Sequence, residues 1–87
     1  MNKKIFAIKD KKSNYLEIFT APNELVAIRD FSSSCTKPET PLSLYPSDYC
    51  LACLGDWNLE SGMITACEPK VIAEAEQYAQ QPKGSEK

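Results

Sequence analysis

The sequence predicts a small α+β domain, a mainly antiparallel four-stranded sheet with two helices on one face in the order β-β-α-β-β-α. Three observations predict it. The chain is 87 residues long, enough for one core and not two. Short apolar runs with period-two alternation come in two pairs, each pair joined by polar or glycine-bearing turns. A stretch with helical spacing follows each pair, which is the pattern of helices packed against one side of a sheet. We read residues 1–81 as a single α+β domain and 82–87 as a flexible polar tail.

The first strand is read over residues 5–9, with Phe6 and Ile8 on one side and Ile5 and Ala7 on the other. The polar run 10–14 ends in turn formers and predicts a hairpin loop. The second strand covers 15–19. Glu17 marks the side of Tyr15 and Phe19 as wet, so Leu16 and Ile18 are expected in the core. Ile5, Ala7, Tyr15 and Phe19 would then share the opposite sheet face, which calls for self-association or a covering loop.

Thr20 and Pro22 suit a helix start, and Leu25, Ile28 and Phe31 recur at helical spacing with Val26 beside them, predicting a helix over 22–32. Ser32, Ser33 and Ser34 compete for backbone hydrogen bonds and should end it. Pro38, Pro41 and Pro46 push their predecessors out of the helical region, so 36–47 is read as an ordered loop. Strands are expected over 49–54 and 63–67, with a connection from Gly55 to Gly62 that carries Trp57. Pro69 can open a last helix whose stripe is Val71, Ile72, Ala75, Tyr78 and Ala79.

Composition narrows the function. Hydrophobic residues make up 43% and charged residues 25%, as in globular chains rather than disordered ones. No apolar run approaches the roughly 20 residues of a membrane helix, and the first apolar stretch, 5–8, is too short for a secretory signal. The expectation is an intracellular protein with no membrane partner. There is no histidine, so the commonest general base is missing, and no glycine loop is shaped for phosphate. We expect no catalytic residues, no cofactor and no metal ligands.

The four cysteines bear on the last point. Cys50 and Cys53 form a Cys-x-x-Cys, but residues three apart on a strand point to opposite faces and cannot share one metal. A four-cysteine site would have to recruit Cys35 and Cys67, each spaced singly, which matches no common zinc pattern. Buried thiols acting as small hydrophobes in a reducing compartment are the simpler reading.

Charge is uneven. The chain carries −2 overall, yet its first twelve residues hold five lysines against one aspartate. Lys3, Lys4, Lys9, Lys11 and Lys12, with the aromatic residues Tyr15 and Trp57, are the candidate nucleic-acid-binding residues. Cations would meet phosphates and rings would stack on single-stranded bases. The competing reading makes these lysines solvated turn and edge residues and the rings packing groups, which leaves a protein-interaction or dimerisation module.

Three phrases carry a resemblance: FAIKD at 6–10, FTAPNELVAIRDF at 19–31 and YPSDYCLACLGDWNLESGMI at 45–64. Within them stand Ala27-Ile28-Arg29-Asp30-Phe31, the Pro46-Ser47-Asp48-Tyr49 approach to a strand closing in Leu54-Gly55, and an acidic-aromatic turn from Asp56-Trp57 to Gly62, with Glu68-Pro69 beyond. In order and spacing, over roughly residues 4–80, this resembles the small non-structural protein of gokushoviruses, single-stranded DNA phages of the microvirus family. The resemblance implies a phage protein of the host bacterial cytoplasm, absent from the mature virion. It is likened to the microvirus C protein, which acts when duplex replication gives way to single-strand synthesis and packaging. It implies the phage replication or packaging complex as partner, with single-stranded DNA and a homodimer as further partners to test. No site residue is carried over from the family.

Overall fold

The computed structural model describes residues 1–79, so the expectation for 82–87 falls outside the described residues. The strands are β1 (Asn2–Asp10), β2 (Tyr15–Ala21), β3 (Tyr49–Asn58) and β4 (Ile64–Glu74). They form one antiparallel sheet in the order β2-β1-β3-β4. The helices are α1 (Glu24–Thr36), a single turn α2 (Pro41–Leu44) and a short α3 (Glu76–Ala79), with a 3-10 turn at Pro46–Asp48. Two strands, a helix, two strands and a helix thus follow the order read from the sequence.

One core holds the layers together. Phe6, Leu51, Cys53 and Ala73 from the sheet meet Ala27, Phe31 and Cys35 of α1, with Leu42 and Ala75 closing the sides. The Phe6 and Phe19 rings stack at 5.7 Å, and Phe31 meets Tyr78 edge-on at 6.3 Å. Both rings of the first pair therefore lie on the helix side. This corrects the reading of β2: Phe19 packs on the core, while Leu16 and Ile18 are exposed. The reason is register. Phe19 sits opposite Phe6, and Glu17 shares its side at the rim of a cleft beside Phe31 and Ser34, so a charged neighbour did not mark that side as wet; the bulge that sets Leu16 and Glu17 against Ile8 alone moves Tyr15 to the other face.

The helices also differ from the sequence reading. Thr20 and Ala21 belong to β2, and α1 starts at Asn23, whose Oδ1 accepts a hydrogen bond from the Val26 N–H at 2.9 Å. The buried stripe is Ala27, Phe31 and Cys35, spaced by four, and Leu25 faces solvent. Alanine at the contact lets the helix lie close to the sheet. The serines do not stop α1. The Ser32, Ser34 and Thr36 hydroxyls donate to carbonyls three or four residues back, and the helix ends only where Lys37 precedes Pro38. Residues 41–44, read as loop, make one helical turn capped by Thr40, with Pro41 in its first position.

The second hairpin is longer than expected. Gly55 to Asn58 continue β3, opposite Ile5 to Asn2. The residues read as a last helix opening at Pro69 are mostly β4. Pro69 is tolerated because β4 is an edge strand, and Val71 and Ile72 are β-branched. Only four residues remain helical after it.

At Gly55 the backbone of β4 leaves no room for a side chain. A Cβ there would lie 2.3 Å from the Thr65 carbonyl oxygen and 3.0 Å from the Ala66 Cα, both of them backbone. Gly55→Ala should therefore lower stability by about 1–3 kcal/mol, since the ladder itself must shift. Urea unfolding followed by far-UV circular dichroism checks it, and an unchanged midpoint would show that β4 yields freely.

Candidate functional site

Strand parity builds the site. Along β1, Lys4, Phe6 and Ile8 face the helices, so Lys3, Ile5, Ala7 and Lys9 face the other way. Pairing extends that second face across the sheet. Lys9 stands beside Tyr15 of β2 and Cys50 of β3, Ala7 beside Ile18 and Ala52, and Lys3 beside Trp57. Val71 and Ile64 of β4 follow as the partners of Ala52 and Trp57.

All three helices pack on the opposite side, and the proline-rich segment goes with them, since Leu42 joins the helix-side core. Among the described residues no segment covers this face. The shortest dimension of the molecule, 18 Å, is that of a two-layer stack. The face is apolar and sculpted. Ile5, Ala7, Cys50 and Ala52 are buried at its floor, while Ile18 (65% exposed), Ile64 (65%) and Val71 (52%) stand exposed at its flanks. A proline-rich cover, one of the two outcomes read from sequence, is not what the fold provides.

The seven residues singled out from sequence divide between two sides of the sheet. Lys3, Lys9, Tyr15 and Trp57 are brought together on the open face. The Lys9 ammonium sits 5.2 Å from the Tyr15 ring centroid, a cation–π contact. Lys3 and Lys9 are six residues apart on one strand, about 20 Å at the usual strand rise. Lys4 is not part of this group. It faces the helix side, where its Nζ donates to Asp56 Oδ1 at 3.3 Å, and that carboxylate raises its pKa. Lys11 reaches the rim of the open face, but its Nζ donates to Glu74 Oε1 at 2.7 Å, which raises its pKa as well. Lys12 lies in the β1–β2 turn, 3.8 Å from Asp48 Oδ1. Ion pairing thus cancels much of the basic segment, and a sequence cannot show which lysines have found carboxylates.

The thiols are distributed by the same geometry. Cys35 and Cys53 are buried on the helix side and Cys50 on the open side, whereas Cys67 is exposed. Burial pushes the thiol of Cys35 up to about 11 and those of Cys50 and Cys53 upward, against the thiolate form that nucleophiles and metal ligands use. Glu74 raises Cys50 further while Lys11 and Lys9 lower it, so these three charges surround one end of the open floor. The Cys67 thiol donates to the Cys53 carbonyl at 3.8 Å. Both line a shallow cleft on the helix side with Lys4, Glu24, Asp56 and Lys70, where charges of opposite sign offset one another. Among the described residues, no three histidine, cysteine, aspartate or glutamate side chains are arranged to hold a metal ion, and no helix is long and apolar enough to cross a membrane.

Chemically, then, the open face offers an aliphatic floor with a cation and a ring at each end. The residues sequence reasoning missed are its flanks, Ile18, Ile64 and Val71. The available signal was the alternation of Ile5 and Ala7 against Phe6 and Ile8, which makes both faces of β1 apolar. In comparisons with known proteins, the family described as Phage ORF5 protein matches residues 3–78. No curated protein and no solved structure matches the chain.

Proposed function

We infer what this chain does from one premise: it belongs to the Phage ORF5 protein family. On that premise we read it as a non-enzymatic binding protein of the infected host's cytoplasm. It acts in the switch from double-stranded replication to single-strand synthesis and packaging, by docking a protein of the replication or packaging complex. The observation that carries the reading is the aliphatic face of the sheet, which no segment among the described residues covers. Exposed apolar surface without a partner is costly, and a contiguous patch of it marks an interaction site. The resemblance to the gokushovirus non-structural protein, likened to the microvirus C protein, supports the stage of infection.

A second reading has its own observation. Lys3, Lys9, Tyr15 and Trp57 share this face, and single-stranded DNA is bound by such cation and ring pairs. The aliphatic floor between them favours protein, because bases gain most from stacking on rings and phosphates from cations. The net charge of −2 points the same way.

One experiment separates the two. Fluorescence anisotropy of labelled single- and double-stranded DNA is followed at 50 and 200 mM salt, for the wild type and for Lys3→Glu/Lys9→Glu. Protein docking predicts weak binding that the double substitution leaves unchanged. Tight binding to single strands that falls at least about 10-fold with salt, and is lost in the variant, would replace protein docking with direct DNA contact.

A further inference from the structure

We propose that the occupant of the open sheet face is the same face of a second copy of this chain. This rests on the reading that the open face is the binding surface, and it adds the identity of the partner. Three features of the face argue for self-pairing.

The first is area. Four strands about 4.8 Å apart, in a sheet whose central strands run about 30 Å, present roughly 570 Å² in plan. Two such faces, counted together, exceed the roughly 1,000 Å² at which an interface between folded proteins becomes specific and stable. Side chains standing above the plan raise the true area further.

The second is fit. Two sheets pack face to face at about 10 Å when their inner side chains interdigitate. Here the floor residues Ala7 and Ala52 are small, while the flanking Ile18 and Val71 stand proud. A two-fold axis along the strands, between β1 and β3, lays β1 of one copy over β3 of the other and β2 over β4. Ile18 then meets the second copy's Val71 at both ends of the symmetry operation, and each flank overhangs the other copy's floor.

The third is charge. The same operation sets Lys3 over the second copy's Trp57, a cation on a ring. It also brings Lys9 to the end of the face where the second copy carries Glu74. The operation also sets each Lys9 one strand from the second copy's Lys9, the same lateral distance as from Glu74, so the carboxylate offsets the like-charge pair at that end. A symmetric interface that places cation on ring and amine near carboxylate is complementary to itself.

The test is sedimentation velocity of the full chain from about 1 to 100 μM, a range that brackets common homodimer affinities, for the wild type, Ile18→Glu and Val71→Glu. Both positions are exposed in the single chain, so the fold is retained, and far-UV circular dichroism verifies this. The expected result is a wild-type dimer and, for each variant, dissociation constants at least about 100-fold higher, since each substitution buries two unpaired carboxylates per dimer. A wild type that stays monomeric throughout overturns the proposal, and so does a dimer that both variants preserve. Phage complementation then tells the two readings apart. If the wild type is monomeric but Ile18→Glu or Val71→Glu abolishes phage yield, the face still binds another protein and only the second copy is wrong. Full yield from both variants removes the face as a binding surface altogether.

Discussion

Replacing Phe31 with alanine should unfold much of the population at modest denaturant. Phe31 is almost fully buried where α1 crosses the sheet, and its ring is the edge-on partner of Tyr78 from α3. Truncation of a buried phenylalanine costs about 3–5 kcal/mol, from lost transfer energy and the cavity left behind. A domain of this size is stable by roughly 4–13 kcal/mol in total, so one ring accounts for a large share. The neighbours cannot collapse into the gap, because Ala27 and Cys35 on the same stripe are already in contact with the sheet. Phe31→Leu, which keeps most of the volume, should recover more than half of the loss. Urea midpoints at one fixed protein concentration measure both, since association makes stability concentration-dependent. A loss under about 1 kcal/mol for Phe31→Ala would mean that α1 does not dock as described.

That stripe also shows what the sequence could and could not reveal. Phe31 stood out at helical spacing, and it is the anchor. Its companions did not stand out, because Ala27 and Cys35 are small and Leu25 looked the better core residue. Helix-to-sheet distance decides between them, and no local pattern encodes that distance. The same holds at the start of α1. Thr20 and Asn23 can both cap, with asparagine somewhat the better, and the pairing of Thr20 with Ile5 across the hairpin assigns Thr20 to the strand. Residues 71–79 fit a helical stripe and a β-branched edge strand at once. β3 extends far enough to offer a partner up to Glu74, and the ladder wins over helical propensity.

The binding face was legible in one respect. Both sides of β1 are apolar, and a two-layer fold can cover only one of them. What remained hidden was which strands contribute on that side, because four register shifts interrupt the strand pairs of the sheet. A one-residue shift moves a set of side chains to the other face. Tyr15 parted from Phe19 and joined Ile18 on the open face for this reason. The candidate cations were separated by the same parity, Lys3 and Lys9 on one side and Lys4 on the other. The basic segment read from the sequence is therefore two different surfaces, and only one of them lies on the face that no described residues cover.

Alkaline pH should destabilise the protein, with Cys35 the largest single contributor. Its thiol is fully buried on the helix side, and burial holds its pKa at about 11 against an ordinary 9.0. Unfolding returns it to the ordinary value. Between these values the unfolded chain has lost the thiol proton and the folded chain has kept it, so each rise in pH favours unfolding. The contribution is fully present below about pH 9, declines from there, and is gone once the pH passes about 11. At about 1.4 kcal/mol for each pH unit of separation, the whole effect is on the order of 2–3 kcal/mol. Cys50, Cys53 and Tyr49 are raised by burial too and act in the same direction. The measurement must therefore isolate one thiol. Urea unfolding of wild type and Cys35→Ala at pH 8 and pH 10.5, with reductant present, does so. The variant begins less stable because of the small cavity, yet it should lose less between the two pH values, by on the order of 2 kcal/mol. Parallel losses would place Cys35 in contact with water and break the link between α1 and the core on which the rest of the fold depends.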